Sequence, residues 1–180
     1  MRPEGRTPVI LKDLLVKNRD AILERWLHLI LETYPADTST LLKQSKDRFL
    51  NPVGYTIFKE IEALFDELLE AMNFERLSSS LNNILKIRSV QDFSPSQAIG
   101  FTLLLKKAVE EVFGRETQKE QTLEEWLRFY SRIDQMAIKA FDIYMDCREK
   151  ICEIRVNQAR AEREMAFKMM ERMNVLKEKT

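Results

Sequence analysis

The stretch LEEWLRFYSRIDQMAIKAFDIYMDCREKICEIRV, residues 123–156, decides the fold class. It holds no glycine or proline, and apolar residues return every three or four positions, the period of a helix with a packed face. Thr122, just before it, opens the run as a capped start. A heptad register puts Leu123, Trp126, Tyr130, Ile133, Ala137, Ala140, Tyr144, Cys147, Ile151 and Ile154 at a and d positions, then continues through Gln158, Ala161 and Met165. Up to Val156 a second stripe runs alongside: Leu127, Ile138, Phe141, Met145 and Cys152. Two stripes predict burial on two sides, as for a central helix in a bundle. Unbroken to the C-terminus, such a helix reaches roughly 85 Å at 1.5 Å per residue, whereas a compact domain of this size has a radius of gyration of about 16 Å. Residues 156–180 are therefore expected to project, fold back or pack on another chain.

Outward from this helix, scarce glycine and proline segment the rest. Residues 1–8 read as a tail. Val9 to about Thr33 reads as one amphipathic helix with Leu11, Leu15, Ile22, Trp26 and Leu29 on its apolar side. Tyr34-Pro35 ends it, because the residue before proline is pushed out of the α region. A short helix capped by Asp37 follows, with Leu41, Leu42, Ser45 and Phe49 on one side. Asn51-Pro52 opens the next helix as N-cap and first-turn proline, with Val53, Ile57, Ile61, Leu64, Phe65, Leu68 and Met72 as its stripe. Gly54 costs about 1 kcal/mol there relative to alanine, and close approach of another backbone is the expected compensation. A fourth helix, Phe74 to Val90, turns Leu77, Leu81, Ile84 and Leu85 inward. In RSVQDFSPSQAIGF, residues 88–101, Ser94 is an N-cap, Pro95 stands at the first helical position and Gln97 completes a capping box. The helix it starts carries Ile99, Phe101, Leu104, Leu105 and Val112, and Gly100 within it suggests a tight crossing. Arg88 and Asp92, four apart, are placed to pair across the end of the preceding helix.

Twenty-nine basic and 29 acidic side chains cancel, so no sequence-wide charge draws the chain to nucleic acid or anionic lipid. The apolar runs, such as FTLLL at 101–105, are too short for membrane insertion, which needs roughly 20 residues. MRPEGRTPVILKDLL at the start has no signal-peptide core, which reads as cytoplasmic. Cys147 and Cys152, five apart, point roughly 140° away from each other on a helix. They fit neither a disulfide nor a zinc pattern and read as small core or seam residues.

Catalytic chemistry is hard to assemble. His28 is the sole histidine, and it falls off the stripe of Ile22 and Trp26, on the side of Lys17 and Glu24. A solvated histidine is the plain reading; a haem ligand is the sharp one, and the face argues against it. A di-iron site needs Glu-x-x-His pairs the chain lacks, and phosphate loops, GxSxG and calcium loops are missing from the sequence. Ser78-Ser79-Ser80 lies within a helix beside no base. These residues predict no enzyme, no cofactor and no metal. Met165, Met169, Met173 and Leu176 share one face of the terminal helix, and methionine faces suit adaptable contacts with a partner or a second copy.

Five stretches carry a family likeness: ILERWLHLILETYP (22–35), KDRFLNPVGYTI (46–57), IRSVQDFSPSQAIGF (87–101), LLLKKAVEEVFG (103–114) and EEWLRFYSRIDQMAIKAFDIYMDCREKI (124–151). Together they span about residues 10–155, and the pattern resembles the N-terminal domain of RsbT co-antagonist proteins, the RsbRD type. The resemblance implies an all-α, haem-free, globin-like helical bundle with a long C-terminal helix. It also implies a dimeric, non-enzymatic sensor or regulatory module of bacterial stress signalling. Fuller members lead from the last helix into a STAS domain; this chain reads as a stand-alone version, ending at Thr180. Within the family motif, Arg88, Gln91, Asp92, Ser94 and Gln97 are candidate interaction residues. The expected organisation is a tail (1–8), a helical sensor-like domain (9–155) and a helix extension (156–180). The expected partner is a second copy or another protein. The competing reading is a structural accessory subunit of a larger, redox-type assembly.

Overall fold

The structure, a computed structural model, describes residues 11–35, 39, 49–70, 72–91, 93–117 and 123–177, and of residues 115–117 and 172–177 the backbone alone. Its helices are α1 (Leu11–Lys17), α2 (Arg19–Leu31), α3 (Pro52–Leu69), α4 (Phe74–Ser89), α5 (Pro95–Gly100), α6 (Leu104–Thr117) and α7 (Leu123–Lys177). No strand occurs among the described residues. The expected tail, the Asp37 cap with Leu41, Leu42 and Ser45, and Thr122 lie outside them. Phe49, placed above on one side of that short helix, is 91% exposed.

The chain divides into two compact units, Met1–Tyr144 and Met145–Thr180. In the first, α2, α3, α4 and α6 surround a core of Ile22, Trp26, Ile30, Ile57, Ile61, Phe65, Leu81, Ile84 and Val109, against which α7 lays Trp126, Phe129, Ile133, Met136, Ala140 and Tyr144. The expected single first helix is stepped at Asn18 (φ −103°, ψ 15°). There the side-chain amide donates to the Leu14 carbonyl at 2.9 Å, a local bond that competes with regular helix geometry.

The Asn51 cap forms as expected, its Oδ1 accepting from the Gly54 amide at 2.8 Å. Gly54 does not serve a helix crossing, however. A Cβ there would stand 2.3 Å from Asn51 Nδ2, so the glycine makes room for its own cap. Gly100 serves no crossing either, with nothing within 4 Å of a Cβ. The helix starting at Pro95 is also shorter than expected. Phe101–Leu103 form a turn in which the amides of Thr102, Leu103, Leu105 and Lys106 bond carbonyls three residues back. That tighter 3₁₀-like winding releases the Phe101 carbonyl, which accepts from Trp26 Nε1 at 2.7 Å. Gly114, at φ 65° and ψ 175°, kinks α6.

Polar ties fasten the helices at the surface. Arg19 forks onto Asp66 at 2.9 and 3.0 Å, joining α2 to α3. Arg25 pairs with Glu111 of α6, and Lys106 with Asp134 of α7 at 2.6 Å. Arg132 Nη1 donates to the carbonyls of Leu68 and Glu70, both at 2.7 Å, and so satisfies the end of α3.

The last helix departs from the expected two-sided burial. Its packed seam in the first unit is Trp126, Phe129, Ile133, Met136, Ala140 and Tyr144, a register that takes Phe129 and Met136 where the sequence favoured Tyr130 and Ala137. The second stripe faces out: Leu127 is 58%, Ile138 67% and Phe141 43% exposed. In the second unit Cys152 is exposed, whereas Cys147 is buried. Ile154, Val156, Met165, Phe167, Met169 and Met170 are exposed as well. The side chains of Met173 and Leu176 are not among those described.

Candidate functional site

The capping box at Ser94 is fully made. The Gln97 amide donates to Ser94 Oγ at 3.3 Å, and the Ser94 amide donates to Gln97 Oε1 at 2.9 Å. Both residues are exposed, as the start of α5 requires. Asp92, and with it the expected Arg88–Asp92 pair, lies outside the described residues.

Arg88 is not a surface residue. It is 0% exposed, among the largest fully buried side chains of the protein. One nitrogen, Nη2, is fully committed, donating to the Thr33 hydroxyl at 3.0 Å and to the Gln97 carbonyl at 3.1 Å. The Thr33 hydroxyl donates in turn to the Ile30 carbonyl at 2.7 Å. Three rings enclose the guanidinium: Phe93 at 4.2 Å, Tyr34 at 5.1 Å and Phe101 at 5.8 Å from centroid to Cζ. Tyr34 and Phe93 meet edge to face at 5.1 Å. A desolvated cation over aromatic faces gains about 2 kcal/mol or more per good contact. That offsets only part of the several kcal/mol that burying an ion costs.

The cluster draws on most of the first unit. Tyr34 and Thr33 come from the end of α2, Arg88 from α4, Gln97 from α5 and Phe101 from the tight turn. Tyr144 of α7 donates to the Phe93 carbonyl at 3.4 Å. Burial pushes the guanidinium's pKa down, and the nearby Tyr34 hydroxyl opposes this; arginine nonetheless stays charged. Burial likewise raises Tyr34, with the Arg88 charge pulling the other way. The Tyr34 hydroxyl feels that charge yet makes no hydrogen bond of ordinary geometry.

Of the five buried side-chain N or O atoms without a hydrogen-bond partner among the described residues, three belong to this cluster: Tyr34 Oη, Arg88 Nε and Arg88 Nη1. The others are Gln91 Oε1 and Trp126 Nε1. Buried polar groups are ordinarily satisfied, so three orphans on two touching residues mark this place as chemically unusual. Sequence reasoning named Arg88 as a helix-end partner of Asp92 and as a candidate interaction residue, and it missed Thr33, Tyr34 and Phe93. A signal existed: Leu77, Leu81, Ile84 and Arg88 keep one helical spacing, so Arg88 stands on the buried stripe of α4.

Elsewhere, a shallow groove of about 200 Å³ is floored by Leu11, Leu15, Leu68 and Phe129 and rimmed by Lys12, Arg128 and Arg132. His28 is half exposed and pairs with Glu32 at 3.1 Å on the outer face of α2, as its position off the stripe predicts. Among the described residues no group of three or more His, Cys, Asp or Glu side chains is placed to hold a metal. No described helix is long and apolar enough to cross a membrane.

An all-α module with a buried, aromatic-caged arginine and a long final helix is the class that fold and site define. The family model for the RsbT co-antagonist protein rsbRD N-terminal domain matches residues 20–159, and the chain belongs to that family, a regulatory signalling domain and not a known enzyme family. An uncharacterized protein of Archaeoglobus fulgidus is 24% identical over 159 residues, covering 86% of this chain and 93% of its own length. No solved structure matches the chain.

Proposed function

We propose that this protein is a non-enzymatic regulatory or sensor domain of the stress-signalling type. It works in the cytoplasm as a homodimer and acts on a protein partner through its last helix. The observation that carries the reading is the apolar surface of α7. Ile138 and Phe141 in the first unit, and Ile154, Met165, Phe167, Met169 and Met170 in the second, are all exposed. Single exposed apolar side chains are ordinary, but a helix that keeps presenting them asks for a covering surface. Methionines suit a surface that adapts to more than one partner. The family supports the regulatory role, and the balanced charge argues against nucleic acid as the partner.

Multi-angle light scattering on the full chain and on a chain ended after Arg155 tests this. A dimer at micromolar concentration that weakens on truncation is the expected result. A monomeric mass for the full chain would overturn the reading.

A further inference from the structure

We infer that the second unit of α7 pairs with the same segment of a second copy of this chain, running antiparallel, with Gln158 of each copy facing Ala161 of the other. The inference rests on the homodimer reading above and deepens it by fixing direction and register.

Three observations carry it. First, the helix is bare in this unit. Every residue from Cys152 to Glu171 is exposed, although helices in proteins draw most of their stability from packing an apolar face. Ile154 is 64% and Met165 68% exposed. Second, the a and d positions keep their period through the bare stretch. Ile151, Ile154, Gln158, Ala161 and Met165 alternate spacings of three and four, the pattern by which one helix receives another. Third, the charges flanking that seam select the occupant and its direction. The g positions are Lys150, Asn157, Glu164 and Glu171, and Arg155 and Glu162 stand at e. All six are exposed.

In a parallel, in-register pair each g position meets the next e position of the other helix. That sets Lys150 against Arg155 on both sides of the seam. In an antiparallel pair e meets e and g meets g. With Gln158 facing Ala161, Arg155 then meets Glu162 of the second copy and Lys150 meets its Glu171. Two-fold symmetry makes each pair twice, as a contact between identical surfaces requires. A slip of one heptad either way sets Arg155 against itself or Glu162 against itself. Opposite charges thus favour one direction and one register. The seam agrees with that choice. Ile154 faces Met165, and Ile151 faces the aliphatic stem of Lys168. Gln158 has only a methyl group opposite, and a polar seam residue specifies register at a cost in strength.

The test is the dimer dissociation constant of the full chain, from sedimentation equilibrium at low salt. Arg155→Glu brings two carboxylates together at both ends of the symmetric contact. It is expected to weaken the dimer about tenfold, or about 1.4 kcal/mol. Adding Glu162→Arg exchanges the signs of the pair and is expected to return the constant to within about twofold of wild type. Both positions are exposed, so the variants keep the fold. A parallel pair demands the opposite sign, because Arg155→Glu then relieves the repulsion from Lys150. A tightened dimer would therefore sink the inference and leave the homodimer reading standing. So would an unchanged constant, which assigns the dimer to another face, or weakening that Glu162→Arg does not reverse. A monomeric wild type would end both readings. Disulfide trapping reads the direction independently. With Cys152→Ser in every chain, a mixture of Ile154→Cys and Met165→Cys chains is expected to oxidise mainly to the mixed pair. Ile154→Cys chains joined mainly to one another would show a parallel seam and overturn the inference.

Discussion

At the scale of single residues, the two helical glycines are physically opposite despite similar sequence settings. Gly54 leaves space for the Asn51 side chain to bend back over the first turn of α3, whereas nothing approaches Gly100. Alanine at Gly100 is expected to stabilise by about 0.5–1 kcal/mol through lower backbone entropy of the unfolded chain. Alanine at Gly54 displaces the cap and forfeits that gain. Urea unfolding of the two variants should separate them by about 1 kcal/mol, with Gly54→Ala the less stable. Ser94→Ala removes one bond of a complete capping box and is expected to cost about 1 kcal/mol, within the usual 0.5–2 range. His28→Ala is expected to change stability by less than about 0.5 kcal/mol, because an exposed pair with Glu32 contributes little. The caps were readable from residue type and spacing alone. The tight contact at Gly54 was not, since it depends on which rotamer Asn51 adopts.

At the scale of elements, the two tryptophans make the sharper comparison. Trp26 donates to the Phe101 carbonyl, which is free to accept because the chain tightens after Gly100. Trp126 Nε1 is buried with no partner among the described residues. Trp26→Phe leaves a buried acceptor unpaired and is expected to cost about 1–3 kcal/mol beyond the lost packing. Trp126→Phe abandons no partner, so denaturant unfolding should show it clearly milder. On α7, the face of Ile138 and Phe141 tests the dimer reading at its source. Ile138→Glu with Phe141→Glu is expected to leave the melting temperature of the monomeric unit nearly unchanged, because both side chains already face solvent. The same pair of changes should reduce the scattering mass to that of one chain. Periodicity showed that α7 has two apolar stripes; which of them its own chain buries was outside its reach. The seam shifted to Phe129 and Met136 because neighbouring helices, not the heptad alone, choose the buried side.

At the scale of the whole molecule, alkaline pH offers a test of how α6 meets α7. Tyr130 of α7 donates to Glu110 of α6 at 3.2 Å, and burial, reinforced by that carboxylate, holds its pKa up at about 12. A phenol raised above its unfolded value of about 10 contributes stability that is intact below pH 10 and is lost as pH climbs towards 12. Tyr130→Phe should flatten that alkaline loss in melting curves taken between pH 9 and pH 12.

The all-α class, the caps at Asn51 and Ser94, the core stripes of α2, α3 and α4 and the outward His28 were determined by the sequence itself. Each depends on spacing or on a side chain reaching its own backbone within one turn. Tertiary structure decided the rest. It took Arg88, which one-dimensional reading leaves at a helix end beside polar neighbours, and enclosed it with Tyr34, Phe93 and Phe101, residues up to 54 positions away in the chain. It also tightened the chain after Gly100 so that Trp26 could reach the Phe101 carbonyl. Burial of a charge and the pairing of a carbonyl with a distant indole depend on how helices meet, and helices meet by long-range packing that no local period encodes.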